Sequence, residues 1–137
     1  MNNLNVVLDK IELLTKTKTE NLSAIASCRT TPQRILYAIG YSTGAIKIHE
    51  LHNKNKLHKE FNASNTSNAG VISLDFSCDD SNLVSVYENG LINIFGLQSS
   101  VKVDSFNLDN QSTLAKFHPN KKAHLGIAGY SGSVTIM

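Results

Sequence analysis

Five histidines are the side chains best suited to bind a metal or move a proton near neutral pH: His49, His52, His58, His118 and His124. The tightest grouping is His49-x-x-His52 with His58 following, and Glu50 or Glu60 is a conceivable further ligand. A zinc site needs at least three defined protein ligands, and this stretch reads more simply as a strand end running into a solvated loop. Asp75, Asp79 and Asp80 stand close to Ser77 and Ser81. Paired carboxylates can act as acid and base, but the run D-D-S-N at 79–82 suits a β-turn closed by its own side chains. Cys28 and Cys78 lie fifty residues apart without C-x-x-C spacing, so neither a disulfide framework nor a zinc ribbon follows. There is no Walker A loop and no H-E-x-x-H. The glycines do not precede a helix, so no phosphate cradle is implied. The expectation is a non-enzymatic chain with no catalytic residue, cofactor or metal.

Composition narrows the class further. The chain has 137 residues, of which 41% are hydrophobic and 18% charged, enough apolar content for a core and too little charge for a self-repelling coil. Thirteen Lys+Arg against eleven Asp+Glu give a net charge of +2, which argues against a dedicated nucleic-acid binder. Lys54, Lys56 and Lys59 form one small basic group and Lys121 and Lys122 another, both read as solvated loop charge. No signal peptide and no apolar run of membrane-spanning length is present, so a cytoplasmic location is expected, with a nuclear one as alternative.

Three segments repeat. The chain reads Y-S-T-G-A-I-K-I-H-E-L from Tyr41, Y-E-N-G-L-I-N-I-F-G-L from Tyr87 and Y-S-G-S-V-T-I-M from Tyr130. Gly44, Gly90 and Gly132 align, as do Ile46, Ile92 and Val134, and then Ile48, Ile94 and Ile136. The glycines recur about 42 to 46 residues apart, the period of a four-stranded propeller blade. Each glycine supplies a hairpin turn where φ is positive, and the alternating β-branched residues after it predict a strand with one buried face. Tyr41, Tyr87 and Tyr130 recur beside these turns and are the candidate protein-contact residues, with packing beside the turn as the alternative.

The elements that carry these anchors follow in a fixed order. Strands are predicted at 23–28, 72–77 and 114–118, then at 35–39, 83–87 and 124–128, then after each glycine. A more polar outer strand is predicted at 57–61 and 101–106. Residues 62–70 read as a connecting loop. Residues 4–14 fit two patterns. Leu4, Val7, Leu8, Ile11 and Leu14 have helical spacing, with Asn2 or Asn3 as N-cap, whereas Val6-Val7-Leu8-Asp9 aligns with a blade strand, and the repeat period favours the strand. The fold class is therefore all-β: a partial propeller of about three four-stranded antiparallel blades across 1–137, with repeats at roughly 9–51, 52–97 and 98–137.

On the glycine hairpins and alternating isoleucines the chain resembles the WD-repeat family of β-propellers. Its signature residues are degenerate. The Trp-Asp position holds His49-Glu50 and Phe95-Gly96, and no Gly-His dipeptide is present. The resemblance implies a scaffold that binds proteins through its loops. A finer similarity is carried by T-G-A-I-K-I-H-E-L, E-N-G-L-I-N-I-F-G-L and K-F-H-P-N followed by L-G-I-A-G-Y-S-G-S-V-T-I. These segments resemble the WD-repeat adaptors that recruit γ-tubulin ring complexes to centrosomes and spindles. That similarity implies γ-tubulin ring complex components as partners. The alternative is a ribonucleoprotein or nucleic-acid-associated subunit using the five lysines named above. Three blades do not close a ring, and the sequence stops inside an apolar strand at Met137, so the remaining blades of a larger propeller are an expected partner.

Overall fold

The computed structural model describes residues 21–28, 35–52, 54, 56–62, 69–108 and 112–137. The expectations for residues 4–14, and most of the loop at 62–70, lie outside the described residues.

The described chain forms eleven strands in three antiparallel sheets. The first sheet is β1 (Leu22–Ser27), β2 (Leu36–Tyr41), β3 (Ile46–Glu50) and β4 (Lys56–Phe61), in that spatial order. The second is β5 (Val71–Phe76), β6 (Asn82–Tyr87), β7 (Leu91–Gly96) and β8 (Val101–Asn107), again in order. The third is β9 (Ser112–Phe117), β10 (Leu125–Gly129) and β11 (Val134–Ile136), three strands among the described residues. Each sheet is a meander, so every hydrogen-bonded pair joins strands consecutive in the chain. The sheets are offset from the sequence repeats: β4 falls in the second repeat but pairs with β3 in the first sheet.

The hairpins between the second and third strands are built alike. Gly44, Gly90 and Gly132 take φ of 88°, 83° and 78°. Their amides donate to Tyr41, Tyr87 and Gly129 carbonyls at 2.9, 2.8 and 3.1 Å. This is a type I turn followed by a left-handed residue, a geometry open to glycine at little steric cost. The irregularities recur too. A bulge follows Ile48 in the β3–β4 ladder and Ile94 in the β7–β8 ladder.

The core lies between sheets. Ile46, Ile48 and Ala38 of the first sheet pack with Leu74, Phe76, Leu83 and Tyr87 of the second. On the other face of the second sheet, Val84, Val86 and Ile92 pack with Ala115, Phe117, Leu125 and Ile127 of the third. The first two sheets approach closely. A Cβ added at Gly40 on β2 would lie 2.6 Å from Val71 Cγ1 on β5. Glycine is required there for contact rather than for φ. Gly40→Ala is expected to cost about 1–3 kcal/mol by forcing the sheets apart. Gly126→Ala, where an added Cβ meets only a backbone oxygen at 3.9 Å, is expected to stay within about 0.5 kcal/mol. Urea unfolding of both variants measures the difference.

Candidate protein-interaction surface

The side chains with chemical potential are dispersed. His49 on β3 is buried and stacks on Tyr37 with ring centroids 5.5 Å apart. Lys47 lies over the Tyr41 ring at 4.9 Å. Burial, with the Tyr41 hydroxyl nearby, pushes Tyr37 up to about 12, and burial also raises Tyr87. His52 is exposed in the β3–β4 turn, and His58 is on β4. Among the described residues no group of three or more His, Cys, Asp or Glu is placed to hold a metal. His118 and His124 meet edge to face across the β9–β10 turn, and His118 Nδ1 accepts from the Asn120 amide at 3.0 Å.

The three aspartates separate into different tasks. Asp79 Oδ1 accepts from the Ser81 hydroxyl at 2.7 Å, the Ser77 hydroxyl at 2.8 Å and the Ser81 amide at 3.1 Å. These bonds, the Ser81 hydroxyl foremost, hold its carboxyl down at about 2, with Lys122 3.7 Å away. Asp80 occupies the left-handed position of the same turn, φ 55°. Asp75 instead points out of β5 toward the third sheet, where it is buried and accepts the Phe117 amide at 2.8 Å. Ser73, two residues earlier on the same face, accepts the Ala115 amide at 3.5 Å. Lys116 Nζ lies 3.7 Å from Asp75 Oδ1. Thus β5 offers side-chain acceptors to amides on the free inner edge of β9, groups that would otherwise be buried without partners. The matching position in β1 is Ala26, paired with Ala38 as Asp75 is with Val84. The first interface therefore lacks this clasp between its inner strands. Proximity in sequence groups Asp75 with Asp79; the signal that separates them is period-two alternation, which puts Asp75 with Ser73 on one face of β5.

The three tyrosines are not an equivalent set. Tyr41 and Tyr87 are each 1% exposed, whereas Tyr130 is 78% exposed. Hairpin geometry gives the reason. The residue that closes the third turn, as Tyr41 and Tyr87 close theirs, is Gly129. Tyr130 is the first turn residue, in the place of Ser42 and Glu88. Of the three candidate contact residues only Tyr130 is exposed, and Tyr41 and Tyr87 pack within the fold. The lysines also divide. Lys59 Nζ donates to the Leu97 carbonyl and to Ser100 Oγ, tying β4 to the β7–β8 turn.

One face stands open. Ile46 and Ile48 are fully buried by the second sheet and Ile92 by the third. Their counterparts Val134 and Ile136 are 70% and 77% exposed, with Leu114 and Met137 also exposed. A cavity of about 270 Å³ lies on the opposite face of the third sheet, between it and the second, lined by Ile94, Phe106, Phe117, Leu125 and Met137 with Asp104 and Lys122.

No protein-family profile matches the chain, and no curated protein sequence matches it. Among solved structures it is similar to the crystal structure of the Cps50 (Swd1) β-propeller domain of Myceliophteria thermophila, with TM-score 0.73 and 14% identity. The match covers 87% of this chain and 36% of that one, so the chain spans about a third of that propeller's length. The fold is that of an open, partial β-propeller of WD-like blades.

Two predictions follow from the aspartates. Asp75→Ala leaves the Phe117 amide buried without its acceptor and should cost about 1–3 kcal/mol, while Asp75→Asn, which keeps an oxygen there, costs less. Denaturant titration of the two variants ranks them. Asp79 is lowered from an unfolded value of about 3.9, so its stabilising effect is complete above that pH and is lost as pH falls through about 2. The stability gap between wild type and Asp79→Asn should therefore close between pH 5 and pH 2, both values chosen to bracket the two ionisations at about 2 and about 4.

Proposed function

We propose that this chain is a non-enzymatic protein-interaction scaffold, three blades of an open propeller that engage a protein partner across the free face of the third sheet. The observation that carries this is Val134 and Ile136. They stand where Ile46, Ile48 and Ile92 are fully covered, yet they remain mostly exposed. An apolar face of this kind, beside the exposed Tyr130, has the composition of an interface core. The remaining blades of a larger propeller would cover it in the manner of the two sheet interfaces already formed.

The finer reading is an adaptor that brings γ-tubulin ring complexes to centrosome or spindle, acting in the cytoplasm. Its support is the sequence resemblance of the three hairpin segments. A nucleic-acid reading would use Lys54, Lys56, Lys59, Lys121 and Lys122. It is disfavoured because Lys122 already faces Asp79 and Lys59 is engaged between sheets.

Purified γ-tubulin ring complex, immobilised and titrated with the chain, tests the finer reading, and Ile136→Glu separates face-mediated binding from charge. Binding that persists at high salt and drops at least about tenfold, or 1.4 kcal/mol, in Ile136→Glu is the expected result. Binding that falls steeply with salt and survives Ile136→Glu would favour the lysines instead. Absence of binding would remove the γ-tubulin assignment and leave the scaffold reading to other protein partners.

A further inference from the structure

The three glycine hairpins differ at the residue before the glycine. It is Thr43 in the first, Asn89 in the second and Ser131 in the third. No other asparagine in the sequence precedes a glycine. In an Asn-Gly pair the side-chain amide is most open to attack by the backbone, because glycine sets no Cβ beside the attacking nitrogen. Asparagine is also one of the thermolabile residue types. Thr43 and Ser131 carry hydroxyls and have no amide to lose.

The second hairpin holds the two reacting atoms in opposite conditions. Asn89 is exposed on the turn between β6 and β7. Its Oδ1 accepts the Leu91 amide at 3.1 Å. That bond draws electron density from Cγ and polarises the side-chain carbonyl toward a nucleophile. The nucleophile is the Gly90 nitrogen, and its hydrogen is donated to the Tyr87 carbonyl at 2.8 Å. The left-handed φ of 83° at Gly90 closes the turn in this way. The buried Tyr87 side chain anchors the acceptor. The electrophile is thus ready and the nucleophile withheld. A local opening that frees the Gly90 amide brings them into reaction.

We propose that Asn89 is a site of spontaneous deamidation gated by opening of the β6–β7 hairpin. The freed Gly90 nitrogen loses its proton to solvent and bonds to Asn89 Cγ. The side-chain nitrogen takes up a proton and leaves as ammonia, and a cyclic imide remains. Water then opens the imide at either carbonyl. Opening at Cγ gives aspartate on an unaltered main chain. Opening at the main-chain carbonyl gives isoaspartate, whose main chain runs through Cγ and is longer by a methylene. Aspartate keeps an oxygen for the Leu91 amide, now in a charge-assisted bond. Isoaspartate lengthens the turn that the Gly90 amide closes. Both products set a new carboxylate beside Glu88, whose own carboxylate accepts the Gly70 amide at 3.2 Å and ties the residue before β5 to this turn. Isoaspartate at 89 is therefore a lasting mark of a chain whose middle sheet has opened. The site is independent of the scaffold reading.

The test incubates the whole chain at neutral pH, folded in buffer and unfolded in guanidinium chloride. Peptide mass spectrometry follows the amide-to-acid change at Asn89. Methyl transfer from S-adenosylmethionine by a protein isoaspartate methyltransferase counts the isoaspartate. Conversion should be at least about tenfold slower in the folded chain. That retardation should agree, within about tenfold, with the protection of the Gly90 amide in hydrogen exchange, since both reactions need the same N–H freed. Asn89→Ser takes the residue of the third hairpin, so it should fold as wild type and carry no methyl acceptor at this position. Equal rates in the folded and unfolded chains, or a retardation that departs from the Gly90 protection, would overturn the gating. Conversion confined to other asparagines in the unfolded chain, or methyl acceptance undiminished in Asn89→Ser, would overturn the site itself.

Discussion

Each sheet here has two faces that must leave water, and a single sheet can cover neither. Ile46 and Ile48 have no dry environment within their own sheet and gain one only against Leu74 and Phe76. Fully burying a side chain of that size contributes about 1.5–3 kcal/mol, so a sheet stripped of its neighbour loses several such terms at once. The second sheet, covered on both faces, holds the largest share of fully buried side chains. The third, covered on one, is left with exposed valine and isoleucine. Repeat architectures spread stability across neighbour interfaces in this way.

The two interfaces are not chemically alike. The first is dry and close, with Gly40 against Val71 at its centre and the Phe61–Phe95 stack and Lys59 at its rim. The second adds a polar clasp, in which Asp75 and Ser73 serve amides of β9. Degenerate blades, without the Trp-Asp pair of the WD-repeat consensus, are thus held by contacts between sheets.

Much of this was legible in the sequence. The glycine period survives because a left-handed turn residue tolerates few alternatives, and the isoleucine alternation survives because one face of each strand is dry. Within the described residues the predicted strands match the observed ones to within a few residues, including the outer strands at 56–61 and 101–107. Residue type misled where geometry decides. Tyr130 matches Tyr41 and Tyr87 by letter but lies one position nearer its glycine, and that step moves it from packed strand end to exposed turn. Asp75 lies near Asp79 in sequence but faces another sheet. The cavity was not legible, because it arises from how sheets two and three meet.

The central claim is that, among the described residues, β11 has an unpaired outer edge and an uncovered face, whereas β3 and β7 are paired by β4 and β8 and covered by the next sheet. Residue-resolved amide hydrogen exchange measures this directly. The account predicts fast exchange at Val134 and Ile136, slow exchange at Thr135 and Met137, and slow exchange at Ile92 and Ile94, whose amides face β8. Protection at Val134 and Ile136 equal to that at Ile92 and Ile94 would contradict it, since the edge would then already be paired.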